Sequence, residues 1–221
     1  MVIVLKGRER RTNEVYFDQL FRIRHEVFIK RRGWALPSLN GREIDQYDCD
    51  DTIYLLDVNE NDAIEASVRV TPSMSGSLLA DYFPHLVENG ASIRSPDIYE
   101  ATRLIVTPLQ KSRRAIRDVR ARLLGALVEW GINEGLTFMQ TVVETSTLSS
   151  YVEMTPLVMP LGLSHPYGGG RDTPGGGECL AIRWPVTQQV LDDIHVYATQ
   201  DTMHVPWIEA GRSGEISAAL H

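Results

Sequence analysis

The chain has 221 residues, 43% of them apolar, and a formal net charge of −7 at pH 7. That length supplies one sizeable hydrophobic core, no apolar run approaches the roughly 20 residues of a membrane helix, and the acidic balance argues against nucleic-acid binding. Cys49 and Cys179 stand far apart with no CxxC motif, so neither a zinc site nor a disulfide framework is expected.

Met1–Leu5 reads as a short strand; it is too short for a secretory signal and charges follow at once, so a cytoplasmic protein is expected. From about Glu14 to Lys30, Tyr16, Leu20, Ile23 and Val27 recur with the helical period, and Phe17, Phe21, Arg24 and Phe28 form an adjacent line. An arginine on that aromatic line points to a cleft edge. Arg32-Gly33 ends the helix, and Ala35 to Asp51 is expected to be a polar loop able to fold over a ligand. Thr52–Val58 and Ala63–Val70 read as strands joined by a turn at Asn59–Asp62. Leu78–Glu88 is expected to be partly helical, and Ile98–Val106 to be a central strand ended by Pro108. Ser112 to about Glu134 is a strong amphipathic helix with Ile116, Val119, Leu123, Leu127 and Trp130 on one face. Phe138–Val143 reads as a buried strand, Ser146–Met154 as a helix, Gly168–Gly170 and Gly175–Gly177 as the ends of a flexible loop, Cys179–Trp184 as a strand and Thr187–Thr199 as a helix. No repeat or linker divides the chain. Residues 1–200 are expected to form one domain of class α/β with a mixed sheet, and 201–221 a tail with Trp207 as its large anchor.

The segment Arg42-Glu43-Ile44-Asp45-Gln46-Tyr47-Asp48 crowds three carboxylates and an aromatic into seven residues. Arg24, Phe28 and Trp34 lie upstream, and Arg69, Glu100 and Arg103 downstream. Such a set suits a substrate that carries charges and a flat ring; fixing the loop to the sheet is the alternative role of the ion pairs. The D-x-D-x-D-G spacing of a calcium loop is absent around Asp45, Asp48, Asp50 and Asp51, so no metal is expected. Lys111, Arg113, Arg114, Arg117, Arg120 and Arg122 form a basic cluster, after which no Lys or Arg occurs from Leu123 to Gly170. A solvated helix face is the ordinary reading of such a run; its place just after a central strand favours an anion site.

The order of elements resembles the acetyltransferase (GNAT)-like fold, a three-layer α/β/α sandwich with a mixed, mostly antiparallel central sheet. In that fold a loop after a central strand cradles the phosphates of coenzyme A, and Val106–Arg114 stands at that place, without the usual glycines. Taken together, Arg24, Phe28, Trp34, Glu43, Asp45, Asp48, Arg69, Glu100 and Arg103, with Phe83-Pro84 and Leu161-Gly162, resemble the signature of the N-acyl-homoserine lactone synthases, the LuxI-type autoinducer synthases. The resemblance spans about residues 1 to 190. Ala66, Thr102 and Leu104 depart from the family pattern and leave its charged residues intact.

The resemblance implies an acyltransferase that moves an acyl group from a thioester, on coenzyme A or acyl-carrier protein, to the amine of S-adenosylmethionine. Closure of the lactone then expels methylthioadenosine, and the product is a quorum-sensing signal. Both compounds are substrates, so no cofactor is implied; a monomer is expected, with no nucleic-acid or membrane partner. Arg24, Phe28, Trp34, Asp45, Asp48 and Arg103 are the implied S-adenosylmethionine residues, with Arg69 behind Asp45. Aromatic faces attract a sulfonium by roughly 0.5–2 kcal/mol each, and a carboxylate suits a guanidinium fork. Glu100, then Glu43, are the candidate general bases, with Arg103 beside them; a carboxylate fills that role well only if burial raises its pKa. Backbone N–H groups near Ile105–Val106 are the expected oxyanion donors by analogy of fold. Val142, Thr145, Leu148, Tyr151 and Met154 are expected to line the acyl pocket, and Lys111, Arg113 and Arg114 to meet the donor. The 146–155 region carries no cation, which tilts the charge argument slightly toward coenzyme A. The rival activity is a generic acyl-CoA-dependent N-acyltransferase on another small amine, and the rival class a non-catalytic binding module. The two Gly triplets do not lie between a strand and a helix, which disfavours a Rossmann-type methyltransferase.

Overall fold

In the computed structural model, which describes residues 1–88, 91, 93–170, 172–198 and 207–209, the alternating apolar stretches become strands of one central sheet. The chain opens with β1 (Val2–Lys6) and α1 (Glu14–Arg24). Helix α1 runs on into a π-helical segment, His25–Arg31, so the single helix expected to Lys30 changes pitch after Arg24. A π turn adds a residue and re-aims the side chains beyond it; here Arg24 and Phe28 are both buried.

The stretch expected to be a polar loop contains a small hairpin, β2 (Ser38–Leu39) with β3 (Arg42–Glu43). Its turn is Asn40-Gly41, with φ of 53° and 73°. Two successive left-handed residues at an Asn-Gly pair mark a type I′ turn, and that turn fixes where Glu43 begins. β4 (Ile53–Val58), β5 (Ile64–Pro72) and β6 (Ile98–Val106) form an antiparallel meander, with α2 (Leu78–Tyr82) between β5 and β6. α3 (Arg113–Asn133) starts at Ser112, whose side chain accepts the Ala115 N–H, an ordinary N-cap. Then follow β7 (Phe138–Glu144), α4 (Leu148–Met154), two short strands β8 (Met159–Pro160) and β9 (His165–Tyr167), β10 (Gly177–Pro185), α5 (Gln188–Tyr197) and β11 (Trp207–Glu209). The strands β8 and β9 were not expected. Of the expected tail, Trp207–Glu209 pairs with β1 and the rest lies outside the described residues, as does Thr199 at the expected end of the last helix.

The sheet order is β11-β1-β4-β5-β6-β7-β10-β8, with β9 also on β10. The pairs β1/β11 and β6/β7 are parallel and the others antiparallel, which gives the mixed, mostly antiparallel sheet expected. One face carries α3 and α5 over a core that includes Leu55, Val68, Leu127, Trp130 and Ile182. On the other, Phe17, Leu20 and Phe21 of α1 cover Leu5, Tyr54 and Leu56, while Leu79 and Leu86 cover Cys179 and Ala181. The layers are therefore helix, sheet, helix.

One irregularity dominates the middle of the sheet. β6 and β7 pair only from Ile98↔Phe138 to Glu100↔Gln140. Beyond that point β7 stays with β10 as far as Glu144, and β6 stays with β5 as far as Val106. The two strands part, and a register shift against β5 lies at the same level, where Arg103 has a φ of 55°.

Candidate active site

Arg24 closes α1 with its side chain almost wholly buried, so its charge needs partners. It donates Nε to Glu43 at 2.5 Å and both terminal nitrogens to the two oxygens of Asp48 at 2.7 and 2.9 Å. Arg103 reaches Glu43 from the other side at 2.9 Å and Asp45 at 2.8 Å. Arg69 donates to Asp45 at 2.5 Å and to the Thr102 hydroxyl at 3.0 Å. Tyr54 adds its hydroxyl to Asp48 at 2.8 Å. Three arginines and three carboxylates from α1, the β3 region, β5 and β6 thus form one lattice.

Burial pushes the Asp48 carboxyl up, but the Arg24 and Arg69 charges outweigh that and hold it far below the usual carboxylate range. Burial likewise works against the low pKa of Glu43, which Arg103 and Arg24 nonetheless keep depressed. Arg24 is held above its ordinary value against burial by Asp48 and Glu43. These acids are fixed anions.

The residues of the lattice divide by what they face. Asp45, Arg103, Phe28 and Trp34 line a cavity of about 690 Å³. Arg24, Glu43, Asp48 and Arg69 are not on its wall; they stand behind it and hold Asp45 and Arg103 in place. Arg24 is not the fork expected for a substrate carboxylate, because its donors are already committed to Glu43 and Asp48. Glu43 is not placed as a base, because both its oxygens accept from guanidinium groups.

Phe28 and Trp34 stack with ring centroids 5.1 Å apart and 12° between planes. The Arg103 guanidinium lies 5.4 Å from the Phe28 ring and that of Arg32 5.2 Å from Trp34. Tyr167 meets Trp34 edge-on at 6.3 Å. The glycine loop packs on this corner: a Cβ on Gly175, whose φ is 77°, would collide with the Gly33 carbonyl oxygen. The loop lies against the Gly33-Trp34 backbone at a distance that only glycine allows.

The cavity passes through the gap between the parted strands. Ala101 to Thr107 of β6 and beyond form one side, and Thr141 to Glu144 of β7 the other. Alternate N–H groups of a strand point to either neighbour, so those of this part of β6 that face away from β5 point into the gap. On the α1 side the cavity holds the aromatic corner, Asp45 and Arg103; on the α3 side it is walled by Ile116, Arg120, Leu124, Val143, Tyr151 and Trp184. Of the expected acyl-pocket residues, Val142 and Tyr151 line it. Thr145, Leu148 and Met154 do not: Met154 is buried in the main core and Leu148 packs against it, because α4 turns that face to the α3–α5 layer. Leu124, Thr147 and Trp184 take their place on the wall.

Glu100 precedes the part of β6 that lines the cavity. Its carboxyl is fully buried and accepts the Ser77 hydroxyl at 2.7 Å and the Leu79 N–H at 3.0 Å, at the start of α2. Burial raises its pKa to about 7 against those two hydrogen bonds. It is one residue removed from the wall, where its neighbours Ala101 and Leu78 stand.

Lys111, Arg113 and Arg114 are exposed at the start of α3, and Arg114 lies 3.6 Å from Asp118. Arg122 is tied to Asp57 at 2.7 Å. Among the described residues no group of His, Cys, Asp and Glu could hold a metal ion, and no helix is long and apolar enough to cross a membrane.

A sandwich whose central strand parts from its parallel neighbour, with a cavity through the gap, has the architecture of the acetyltransferase-like fold class. The model of the family described as autoinducer synthase matches residues 8–150. The isovaleryl-homoserine lactone synthase of Bradyrhizobium diazoefficiens is 31% identical over 166 residues, which is 74% of this chain and 73% of that protein. A CoA-dependent acyl-homoserine lactone synthase, BjaI, solved with SAM and isopentyl-CoA, superposes with a TM-score of 0.80 at 26% identity, over 95% of this chain and 92% of that one. A second CoA-dependent synthase of this kind, MesI, gives a TM-score of 0.76 at 22% identity over 96% of this chain and 100% of that one, a likeness of fold. The chain belongs to the autoinducer synthase family and is an enzyme of the acyl-homoserine-lactone synthase type.

Proposed function

We propose that this chain makes an N-acyl-homoserine lactone from S-adenosylmethionine and an acyl-CoA, with the nucleotide on the α1 side of the parted strands and the thioester on the α3 side. The observation that carries this reading is the gap between β6 and β7, which joins an aromatic and ionic half-site on one face to a mostly apolar one on the other. A nucleophile and an electrophile bound on opposite faces then meet at β6, where proximity supplies much of the rate.

The sulfonium and adenine suit the stacked Phe28 and Trp34, and Asp45 suits the ammonium. Arg103 suits the substrate carboxylate; its bonds to Glu43 and Asp45 use Nε and Nη2. The amine nitrogen attacks the thioester carbonyl, the C–S bond breaks, and the thiol departs. Glu100, with a pKa of about 7, takes the amine proton through an intervening water or hydroxyl, since it stands one residue behind the wall. Backbone N–H groups of β6 in the gap steady the oxyanion. The carboxylate oxygen then attacks the carbon beside the sulfonium, the ring closes and methylthioadenosine leaves.

Two observations favour coenzyme A over a carrier protein as donor. α4 carries no cation that would face an acidic partner, and the similar BjaI and MesI are CoA-dependent synthases. The test is turnover of purified protein with S-adenosylmethionine and matched acyl-CoA and acyl-carrier donors. Thiol, methylthioadenosine and lactone released in equal amounts support the proposal. An acylated amine formed without methylthioadenosine would establish the generic N-acyltransferase instead.

A further inference from the structure

Among the described residues, the charged groups on the cavity wall are paired, with one exception. Arg32 donates to Glu144 at 2.7 Å, Glu144 also accepts the Tyr167 hydroxyl at 2.9 Å, and Asp45 is held by Arg69 and Arg103. Arg120 lines the same cavity, and its Nε is buried with no hydrogen-bond partner among the described residues. A buried donor left without an acceptor costs roughly 1–3 kcal/mol, and no ion pair among the described residues engages the Arg120 guanidinium, so its donors are uncommitted on the cavity wall.

The surroundings say what kind of ligand. Ile116, Arg120 and Leu124 follow one another at four-residue spacing and share one face of α3, and all three line the cavity. Arg120 lies seven residues inside the helix start at Arg113, or about 10 Å along the axis. The Tyr151 phenol lies near it: burial pushes its pKa up to about 12, and the Arg120 and Arg32 charges pull the other way. An isolated guanidinium between two aliphatic side chains suits a neutral chain carrying a single carbonyl. The apolar flanks, Ile116 and Leu124, disfavour a phosphate there, because a multiply charged group would be desolvated against them with a single cation beside it.

We propose that Arg120 donates a hydrogen bond to a carbonyl oxygen of the acyl donor and so sets how deeply the donor seats in the cavity. Arg120 is then a specificity and positioning residue on the thioester side, and it has no part in holding the nucleotide. The proposal rests on the acyl-thioester reading above. The carbonyl has two possible sources with one chemistry: an amide of the pantetheine arm, or an oxo group on the acyl chain.

The experiment compares wild type, Arg120→Met and Arg120→Lys with a saturated acyl-CoA, its 3-oxo counterpart and the matching N-acetylcysteamine thioester. Arg120→Met keeps the aliphatic stem, and a thermal melt checks the fold. The expected result is a KM for donor raised on the order of tenfold, as loss of one hydrogen bond to a charged group implies, with the KM for S-adenosylmethionine within about twofold and partial rescue by lysine. An equal loss with both acyl-CoAs that shrinks for the truncated thioester assigns the distal amide of the arm, and an equal loss with all three, since the truncated donor keeps the amide beside the sulfur, assigns the proximal one. A loss confined to the 3-oxo donor assigns the chain. Donor KM values all within about twofold of wild type would overturn the proposal, as would an equal rise in the KM for S-adenosylmethionine. If wild type released thiol from none of the three, the acyl-thioester reading itself would fall.

Discussion

Replacing Glu100 by glutamine separates the capping role seen in the structure from the proposed role as general base. Its oxygens cap the start of α2 through Ser77 and Leu79, and burial raises its pKa to about 7, which suits a base one residue behind the cavity wall. Glutamine has the same shape and keeps the cap: its carbonyl accepts the Leu79 N–H and its amide donates to the Ser77 oxygen. It cannot take a proton. If Glu100 is the base, kcat falls by about 10²–10⁴, and the KM for S-adenosylmethionine changes little. The pH behaviour gives an independent readout. A base must be ionised, so wild-type kcat/KM falls as pH drops through about 7, and that limb is lost in the variant. Stability runs the other way. Burial raises the folded pKa above the unfolded value near 4.5, so the folded protein holds a proton the unfolded chain has released. Wild type therefore loses up to about 3 kcal/mol as pH rises from about 4.5 to 7 and then levels off. The variant shows no such slope from this site and melts no lower than wild type at pH 8. Stopped-flow thiol release and thermal melts across pH 5–9 measure both. A kcat within about threefold of wild type, with the acid limb intact, would refute the base and leave Glu100 as a cap for α2.

Trp34→Ala removes the stacked indole over Phe28 and should raise the calorimetric Kd for S-adenosylmethionine roughly 5- to 30-fold, about 1–2 kcal/mol, with the donor KM unchanged. Asp48→Asn strips the buried Arg24 fork of its charge partner and should cost about 3–5 kcal/mol in urea unfolding; in wild type the depressed Asp48 pKa keeps this contribution in place above about pH 4 and loses it only at lower pH. Gly175→Ala would drive a methyl into the Gly33 carbonyl and strain a positive φ, so the KM for S-adenosylmethionine should rise several-fold through a displaced Trp34, read by indole fluorescence.

Much of this was legible because buried charge is expensive. Arginines on strands and on an aromatic helix line, facing three acids in seven residues, have few ways to be buried except against one another, and the lattice of Arg24, Arg69 and Arg103 with Glu43, Asp45 and Asp48 follows. The β6 span Ile98–Val106 was read directly from its bounds. Which side of the lattice faces the substrate was not legible. It depends on a π turn after Arg24 and on a single left-handed residue at Arg103, and neither has a periodicity signature. The Asn40-Gly41 pair carried a hairpin signal that the polar composition around it obscured. The face of α4 was misread because an apolar spacing of three or four identifies a stripe without saying whether it meets a core or a cavity: Tyr151 turns to the cavity, and Met154, three residues on, to the core.

Arg103 links the two halves of the site energetically. A non-glycine residue at a φ of 55° costs about 1–2 kcal/mol, and it stands where β6 shifts register against β5 and leaves β7. Nothing local in Thr102-Arg103-Leu104 relieves that conformation. What offsets it is tertiary: the guanidinium is gripped by Glu43 and Asp45, which are in turn gripped by Arg24 and Arg69. The lattice behind the proposed nucleotide half-site therefore also braces the point where the strands part, beside the proposed thioester half-site. Two substrates on opposite faces of a sheet, as proposed, need an aperture, and the ion pairs that fix Asp45 and Arg103 on the cavity wall are the ones that grip the residue where the strands part. That coupling explains why so many charges are buried for so few that touch the cavity.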